Sequence, residues 1–539
     1  MSVWNASAIE KRWSTLADSR LVASVMFTAV SLILLAAFNS KLSNFYYYPG
    51  WRVFLPLAGS VVVAFAFVGV RYAAFTPLLT ASMRACGAGV LVFLLLESPD
   101  FTLANPEAAR AATYVHYGYY LGAACAIASL FRPSFLIPAA IYTISTRKVV
   151  YAISGLPMST LDIQYMIDMQ LYLAFFGLLV AKLGPRIPWL GEVSRQNEIV
   201  GAAFGLHLAN YFWSGIAKAA AGPTPWYWIF ENKTYNQIPY AIESGILPIG
   251  HLPWLTEILY KGFQFFVVPL NAAIVLAQLF AIICILRLSW LKIASILYDM
   301  LHIGIYVFGG LFFWPWIWNN LTILWAARTS KGELSINTKV ACIVTIILGA
   351  PALKLNEAAW LGWWDIADGR QIYFEAVTKD NRTVKAPSAF FLSHSYSVSH
   401  GYMGHYPIKG QYSATMQGGT YDLDRSRWSG SCPDPSSLPA GQVDETPEAK
   451  AARLAYLERF LTAHHEKMLA REARFGRRSY YFHLHHHPSN PFLYPDFNQL
   501  SLGDVVGYNL VVASICHSMD EGHVVKRTLA KNSEFFSVQ

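Results

Sequence analysis

His207, Tyr211, Ser214 and Lys218 punctuate an otherwise apolar stretch at spacings of four, three and four residues. On an α-helix that spacing puts all four on one face, with Asn210 beside them. An imidazole, a phenol, a hydroxyl and an amine can together accept, donate and relay protons, which is the equipment of general acid–base catalysis. The plainer reading is that Asn and Ser glue helices together while Lys218 reaches toward an interface. A second pair, Asp299 and His302, stands one helical turn apart and is followed by Gly304, Gly309 and Gly310. An acid and an imidazole on one face can share a proton or hold a lysine in register, or simply satisfy each other. Asp162, Gln164, Asp168 and Gln170 add further polar groups to another apolar stretch.

A different chemistry is offered near the C-terminus. In Tyr481-Phe482-His483-Leu484-His485-His486-His487-Pro488, His483, His485 and His487 alternate, so on a strand all three face one way. Alternating imidazoles can ligate Zn or another transition metal, with His394, His400, His405, Asp422 or Asp504 as candidate third ligands. Histidine-rich runs also occur in exposed loops that bind nothing. His464 and His465 are adjacent and point apart on a helix, so they are poor partners for one ion. Tyr421-Asp422-Leu423-Asp424-Arg425 reads most simply as a salt-bridged turn.

The elements that must carry these groups follow from composition. The 539 residues are 54% hydrophobic and 14% charged, against roughly 25% charged in soluble domains. Apolar stretches long enough to cross a bilayer, about 20 residues each, recur up to about residue 360. Nine or ten spans are expected, at Leu21–Phe38, Val53–Phe75, Pro77–Leu96, Ala111–Phe131, Phe135–Gly155, Met166–Gly184, Val200–Ala220, Gly262–Leu286, Leu288–Phe313 and Val340–Leu355. The tryptophan-rich runs Phe312–Asn319 and Trp360–Trp364 read as interfacial belts. Ionisable groups at a bilayer centre cost ~2.5–3.5 kcal/mol, so the polar face around Lys218 must turn toward other helices or a water-filled cavity.

Lys11, Arg12 and Arg20 precede the first span and place the N-terminus in the cytoplasm. That span reads as an uncleaved anchor. The net charge of +8 is dispersed, with no basic block interleaved with aromatics, which argues against nucleic acid as a partner. Eleven of the fifteen histidines fall between His394 and His523. Thr446-Pro447-Glu448 supplies a helix N-cap and first turn, followed by Leu454, Leu457, Leu461, His464 and Met468 at helical spacing. The expected fold is an all-α polytopic membrane domain over residues 1–365 and a soluble, His-rich α+β domain over 366–539. Cys432 and Cys516 can form a disulfide if that domain is extracytoplasmic.

The run Asn210-Tyr211-Phe212-Trp213-Ser214-Gly215-Ile216-Ala217-Lys218, with Trp226 and then Asp299-Met300-Leu301-His302 leading to Phe312-Phe313-Trp314-Pro315, resembles the membrane domain of vitamin K-dependent gamma-carboxylase and its bacterial relatives, the horizontally transferred transmembrane domain family. The resemblance covers residues 21–327 and is most specific around Lys218. It implies that Lys218 is the base that activates a reduced quinone, whose reaction with oxygen yields a stronger base that deprotonates a glutamate side chain before carbon dioxide adds. The family's second functional histidine has no counterpart in Ser159–Tyr165. The expected site is therefore Lys218, His207, Tyr211, Asp299 and His302, in a cavity open to a peptide, lipid or quinone. Two other classes fit the same residues: a metal-dependent module in the tail anchored by the membrane part, and a non-catalytic subunit whose polar stripe contacts partner helices, a pigment or a quinone.

Overall fold

The computed structural model describes residues 6–46, 54–96, 100–104, 109–154, 161–243, 252–330, 332–349, 352–355, 362, 364–400, 419–420, 432, 446–476 and 489–538. The chain is mostly helical, with a C-terminal β domain. Helices α1 (Ala6–Tyr46), α2 (Leu55–Ala66), α3 (Pro77–Leu96), α4 (Ala109–Ser129), α5 (Leu136–Ser154) and α6 (Leu161–Leu183) lead through the short α7 (Pro188–Gly191) to α8 (Val193–Ala219). After two short helices, α9 (Tyr227–Glu231) and α10 (Gln237–Glu243), come α11 (Pro253–Phe265), α12 (Val267–Leu279), α13 (Leu288–Gly304), α14 (Trp314–Thr329) and α15 (Ile336–Gly349).

Among the described residues four helices are long and apolar enough to cross a membrane, at Leu21–Leu42, Pro77–Leu96, Met166–Leu183 and Leu288–Gly309. A fifth counts if α11 and α12 are one broken span. The stretch expected as one helix over Gly262–Leu286 bends by 70° between these two. The span expected over Val53–Phe75 stops at Ala66 and passes through a turn into the 3-10 segment Tyr72–Ala74. The expected belt at Phe312–Asn319 instead opens a packed helix, α14, with Trp314 and Trp316 buried.

α8 lies at the middle of the bundle. It presses against α15 through Gly201 and Gly205, where a Cβ would fall 2.1 Å from the Thr338 carbonyl oxygen and 2.6 Å from that of Cys342. Two glycines four apart let the backbones approach this closely. α13 runs into a π-helical turn, Ile305–Gly309, and ends at Gly310 in the left-handed region.

The β domain begins with β1 (Trp364–Asp365), which pairs with β4 (Gly419–Thr420). Its main sheet is antiparallel, in the order β3 (Thr383–Lys385), β2 (Asp368–Thr378), β5 (Val505–Asp520), β6 (His523–Ser537). Glu521 and Gly522 both take positive φ and join β5 to β6, as a two-residue hairpin turn requires. Tyr508, Leu510 and Val512 of β5 face a core shared with Phe390, Phe460 and Phe497. Ala513 and Ile515, on the other face, meet Tyr240 of the bundle.

α16 (Ser395–His400) precedes α17 (Pro447–Phe475), and α18 (Pro495–Gln499) precedes β5. α17 is the helix expected after Thr446, whose side chain accepts the Ala449 N–H at 3.2 Å, and Gly476 caps its end in the left-handed region. Cys432 and Cys516 form a disulfide.

Candidate functional site

α8, α13 and α14 bring four of the five expected site residues onto one hub, Asn320. The Asn320 Oδ1 accepts from His207 Nε2 at 2.8 Å. Its Nδ2 donates to the Tyr211 hydroxyl at 2.8 Å and to Asp299 Oδ1 at 2.9 Å. The Tyr211 hydroxyl in turn lies 2.8 Å from His302 Nε2. Asn319 Nδ2 stands 3.4 Å from His207 Nδ1. One set of tautomers satisfies every contact: His207 carries its proton on Nε2, Tyr211 donates to His302, and His302 keeps its proton on Nδ1.

Burial gives these bonds their weight. His207 and Asn320 are 0% exposed, Tyr211 1% and His302 4%. Trp316 packs edge-on against His207, Tyr211 and His302 at ring separations of 5.9, 5.3 and 5.2 Å, and Tyr298 stacks on Tyr211 at 3.9 Å. Such aromatic walls exclude water and strengthen the polar contacts they enclose. The phenol of Tyr211 sits between a donor, Asn320, and an acceptor, His302, so its own proton can shift toward His302 without any large movement.

Ser214 and Asn210, on the same stripe, turn back to α8 itself. Ser214 Oγ donates to the Asn210 carbonyl, and Asn210 Nδ2 donates to the carbonyls of Leu206 and His207. The Asn210 Oδ1 is buried without a partner.

Lys218 is not part of the Asn320 row. Two turns beyond Tyr211, it is 8% exposed and its ammonium lies 5.4 Å from the centre of the Trp228 ring. The carboxylate that acts on it is Asp365 of β1. Asp365 accepts from Asn232 Nδ2 at 2.7 Å and from Gln237 Nε2, while its backbone N–H donates to Asn232 Oδ1 at 2.7 Å. Asn271 locks the Asn232 carbonyl from α12 at 2.9 Å. Gly362 makes this junction possible, because a Cβ there would stand 2.9 Å from the Ala217 carbonyl oxygen. The arrangement is a buried ammonium and carboxylate shared between the last turn of α8 and the first strand of the β domain.

The spacing pointed to neither Asn320, Trp316 nor Asp365. Trp316 sits in the run that reads as an aromatic belt, Asn320 directly follows that run, and Asp365 stands at a boundary with no periodicity. Asp168 is buried elsewhere, accepting from Asn39 at 2.8 Å and Gln164 at 2.7 Å, and Gln170 is fully buried with neither amide atom partnered. An apolar trough of about 630 Å³ between α1, α2, α5 and α6 is lined by none of the expected site residues.

His483, His485 and His487 lie outside the described residues, as do His405, Asp422 and the side chains of His400 and Asp162. Among the described residues no group of three His, Cys, Asp or Glu could hold a metal ion. The candidate ligand His394 is buried and accepts the Thr102 N–H at 2.9 Å. His464 and His465 diverge, the first to Thr102 and Phe390, the second to Tyr508. Compared with protein-family models, with curated proteins and with solved structures, the chain matches none.

Proposed function

We propose that the chain is an integral membrane enzyme of the gamma-carboxylase-like type, with Lys218 as its base and a reduced quinone as the species it deprotonates. The observation that carries this reading is Lys218 itself, a buried amine over an indole face, with the charge of Asp365 acting on it, at the junction of bundle and β domain. A lysine held this way can cycle between ammonium and amine, which an activating base requires. The bound quinone would supply the oxygen chemistry. The chain's own part is to take its hydroxyl proton at Lys218, and the Tyr211–His302 hydrogen bond is a separate proton-sharing pair deeper in the bundle.

In this reading nine or ten passes cross the bilayer. Helices such as α8 and α14 complete the apolar spans, their polar residues turned inward. The orientation has two supports. Tyr72 donates to the Ser129 carbonyl, Gln196 to that of Ala74, and Leu288 N–H to Glu333, so these connections gather at one end of the bundle. That end carries Arg71, Arg132, Arg186, Arg287 and Arg328, and the positive-inside rule makes it cytoplasmic. The β domain attaches at the other end through Lys218, Asp365 and Asp100. It would then be extracytoplasmic, where the Cys432–Cys516 disulfide persists.

The test uses full-length protein in nanodiscs with a reduced quinone, oxygen, labelled bicarbonate and a glutamate-containing peptide. Label should enter the peptide, and Lys218→Met should abolish incorporation while the protein stays folded. Incorporation that persists in a folded Lys218→Met protein overturns the reading. The second reading, a non-catalytic subunit, is favoured by how fully the Asn320 hub is satisfied from within. It expects no incorporation by the wild type and a lower melting temperature for Lys218→Met.

A further inference from the structure

The apolar trough of about 630 Å³ between α1, α2, α5 and α6 has a defined axis. α1 and α6 run antiparallel, joined by Ser31 and Tyr172 at 2.5 Å and by Asn39 and Asp168 at 2.8 Å. α6 ends beside Arg186, so Lys41, near the C-terminus of α1, stands at the opposite end of the bundle, where the β domain attaches. Leu55 opens α2 at that same end, and Ile137, in the first turn of α5 close to Arg132, marks the other. The trough therefore runs lengthwise along the bundle.

Its walls are hydrocarbon. Leu35, Ile141, Leu171 and Phe176 are buried along it, while Phe38 and Phe175 stand exposed at its rim. Ser60 turns its hydroxyl back to the Leu57 carbonyl at 2.6 Å. Gly59 widens the trough: a Cβ there would meet nothing within 4 Å, whereas one at Gly201 or Gly205 would strike a backbone carbonyl. A glycine in mid-helix weakens α2, and no close approach requires this one. What it preserves is the room between the helices.

The mouth is charged. The apolar span of α1 ends at Leu42, which puts Lys41 at headgroup height, exposed and, among the described residues, with no carboxylate in ion-pair distance. Asp168, one turn along α6 from Leu171, is buried and accepts from Asn39 and from Gln164 at 2.7 Å, and the charge of Lys148 acts on it, so its own charge is met inside the bundle. We propose that the trough holds one acyl chain of an anionic phospholipid, with the headgroup phosphate against Lys41. Its volume falls within the ~300–1,000 Å³ of small-molecule sites, and a linear hydrocarbon chain suits a cavity that is long and apolar. The side chains that line it offer a polar ligand little besides the Lys41 ammonium, which binds phosphate as a point charge.

The experiment places full-length protein in phosphatidylcholine nanodiscs doped with a phospholipid that carries a photoactivatable diazirine midway along one chain. The probe is phosphatidylglycerol in one arm and phosphatidylcholine in the other, and adducts are mapped by mass spectrometry. Ile141 and Leu171, buried along the trough, report on its occupant, and Ile293 and Met300, exposed on α13, are the internal control. Adducts at Ile141 and Leu171 should be about fivefold more abundant with the phosphatidylglycerol probe, the preference that one lysine near an anionic headgroup confers, with the α13 adducts equal in both arms. Lys41→Gln should remove that preference. Gly59→Phe, which fills the trough from α2, should cut the trough adducts at least fivefold and leave those on α13 unchanged. Equal abundance with the two probes in the wild type, or trough adducts unchanged in a folded Gly59→Phe protein, overturns the proposal. So does their absence with both probes, which a second copy or a partner helix seated in the trough would produce. If Gly59→Phe does not fold, the wild-type arms and Lys41→Gln still decide. The readout involves no turnover, so it fails or succeeds independently of Lys218.

Discussion

In the bundle, His207 and His302 are held by other side chains, Asn320 and Tyr211, brought in by neighbouring helices. In the β domain, His464 is held by the Phe390 carbonyl and the Thr102 hydroxyl, and His394 by the Thr102 N–H. The chemistry of the two regions differs accordingly. A ring bonded to a phenol, as His302 is, can trade a proton with it, while a ring bonded to side-chain amides, as His207 is, has partners that can reorient. A ring bonded largely to backbone is a fixed post, and here it fastens the 100–104 connection to the β domain beside the ion pairs of Asp100 with Lys467 and Arg471. Lys218 and Asp365 belong to neither kind, because each region contributes one charge.

The sharpest way to break this comparison is to remove the shared charge. Asp365→Leu takes the acceptor from the buried amides of Asn232 and Gln237, at roughly 1–3 kcal/mol for each group that cannot re-pair, and removes the carboxylate whose charge acts on Lys218. The expected result is a large fall in the thermal midpoint of the whole protein in nanodiscs, followed by tryptophan fluorescence. An unchanged midpoint would mean that Asp365 does not fasten the β domain to the bundle. Cys432→Ser acts on the β domain alone. Opening a disulfide whose cysteines stand 84 positions apart should cost about 2–5 kcal/mol. Urea unfolding of the sheet, read by near-UV circular dichroism, should move to lower concentration while the helical signal stays.

Asn320→Leu tests the bundle side. It leaves His207, Tyr211 and Asp299 each short of a partner, at roughly 1–3 kcal/mol for each buried group that cannot re-pair. Relaxation of Tyr211 toward His302 should reduce the total. The expected outcome is a lower midpoint for the bundle with the sheet's urea transition unchanged. A shift in both transitions would show that the two regions unfold as one unit.

Part of this was legible in the chain. The stripe at His207, Tyr211 and Lys218 and the pair Asp299 and His302 follow from helical spacing, and the structure does bring four of those five together. Periodicity says which face a residue is on, however, not how far along a helix its partner lies. Lys218, two turns below Tyr211, therefore meets a strand rather than the Asn320 row. α14 was hidden because its tryptophans and asparagines dilute its apolarity, although burying them is what makes it the third wall of the site. The break between α11 and α12 was hidden for the opposite reason, since the sequence stays apolar across Phe265, Phe266 and Val267. α17 was plain from Thr446, Pro447 and Glu448, because caps are local. The Cys432–Cys516 pair was open to arithmetic, as the other four cysteines lie in apolar stretches and are free and buried.

The smallest expected effect separates the fixed posts of the β domain from everything else by their pH dependence. Burial, helped by the neighbouring Lys467, holds the pKa of His464 down at about 3, whereas an unfolded histidine titrates near ~6.5. The unfolded chain therefore takes up a proton below pH ~6.5 that the folded ring refuses, and the stability His464 contributes is complete above that pH and lost on acidification toward 3. One such proton gives a slope of about 1.4 kcal/mol per pH unit. His465, also lowered by burial, acts in the same direction. Glu243, held down at about 2 chiefly by His517 and Lys526 against its burial, also loses its contribution on acidification, but only from the unfolded glutamate range near ~4.3 downward. Between pH 6.5 and 5 the slope thus belongs to the histidines. His464→Phe keeps the stacking with Phe391 and Phe460 and removes the proton. Urea midpoints of the sheet should then depend on pH less steeply by one proton's worth across that range, at the expense of about 1 kcal/mol at pH 7 for the lost hydrogen bonds. An identical slope in His464→Phe would show that His464 is not the neutral post that clamps the 100–104 connection.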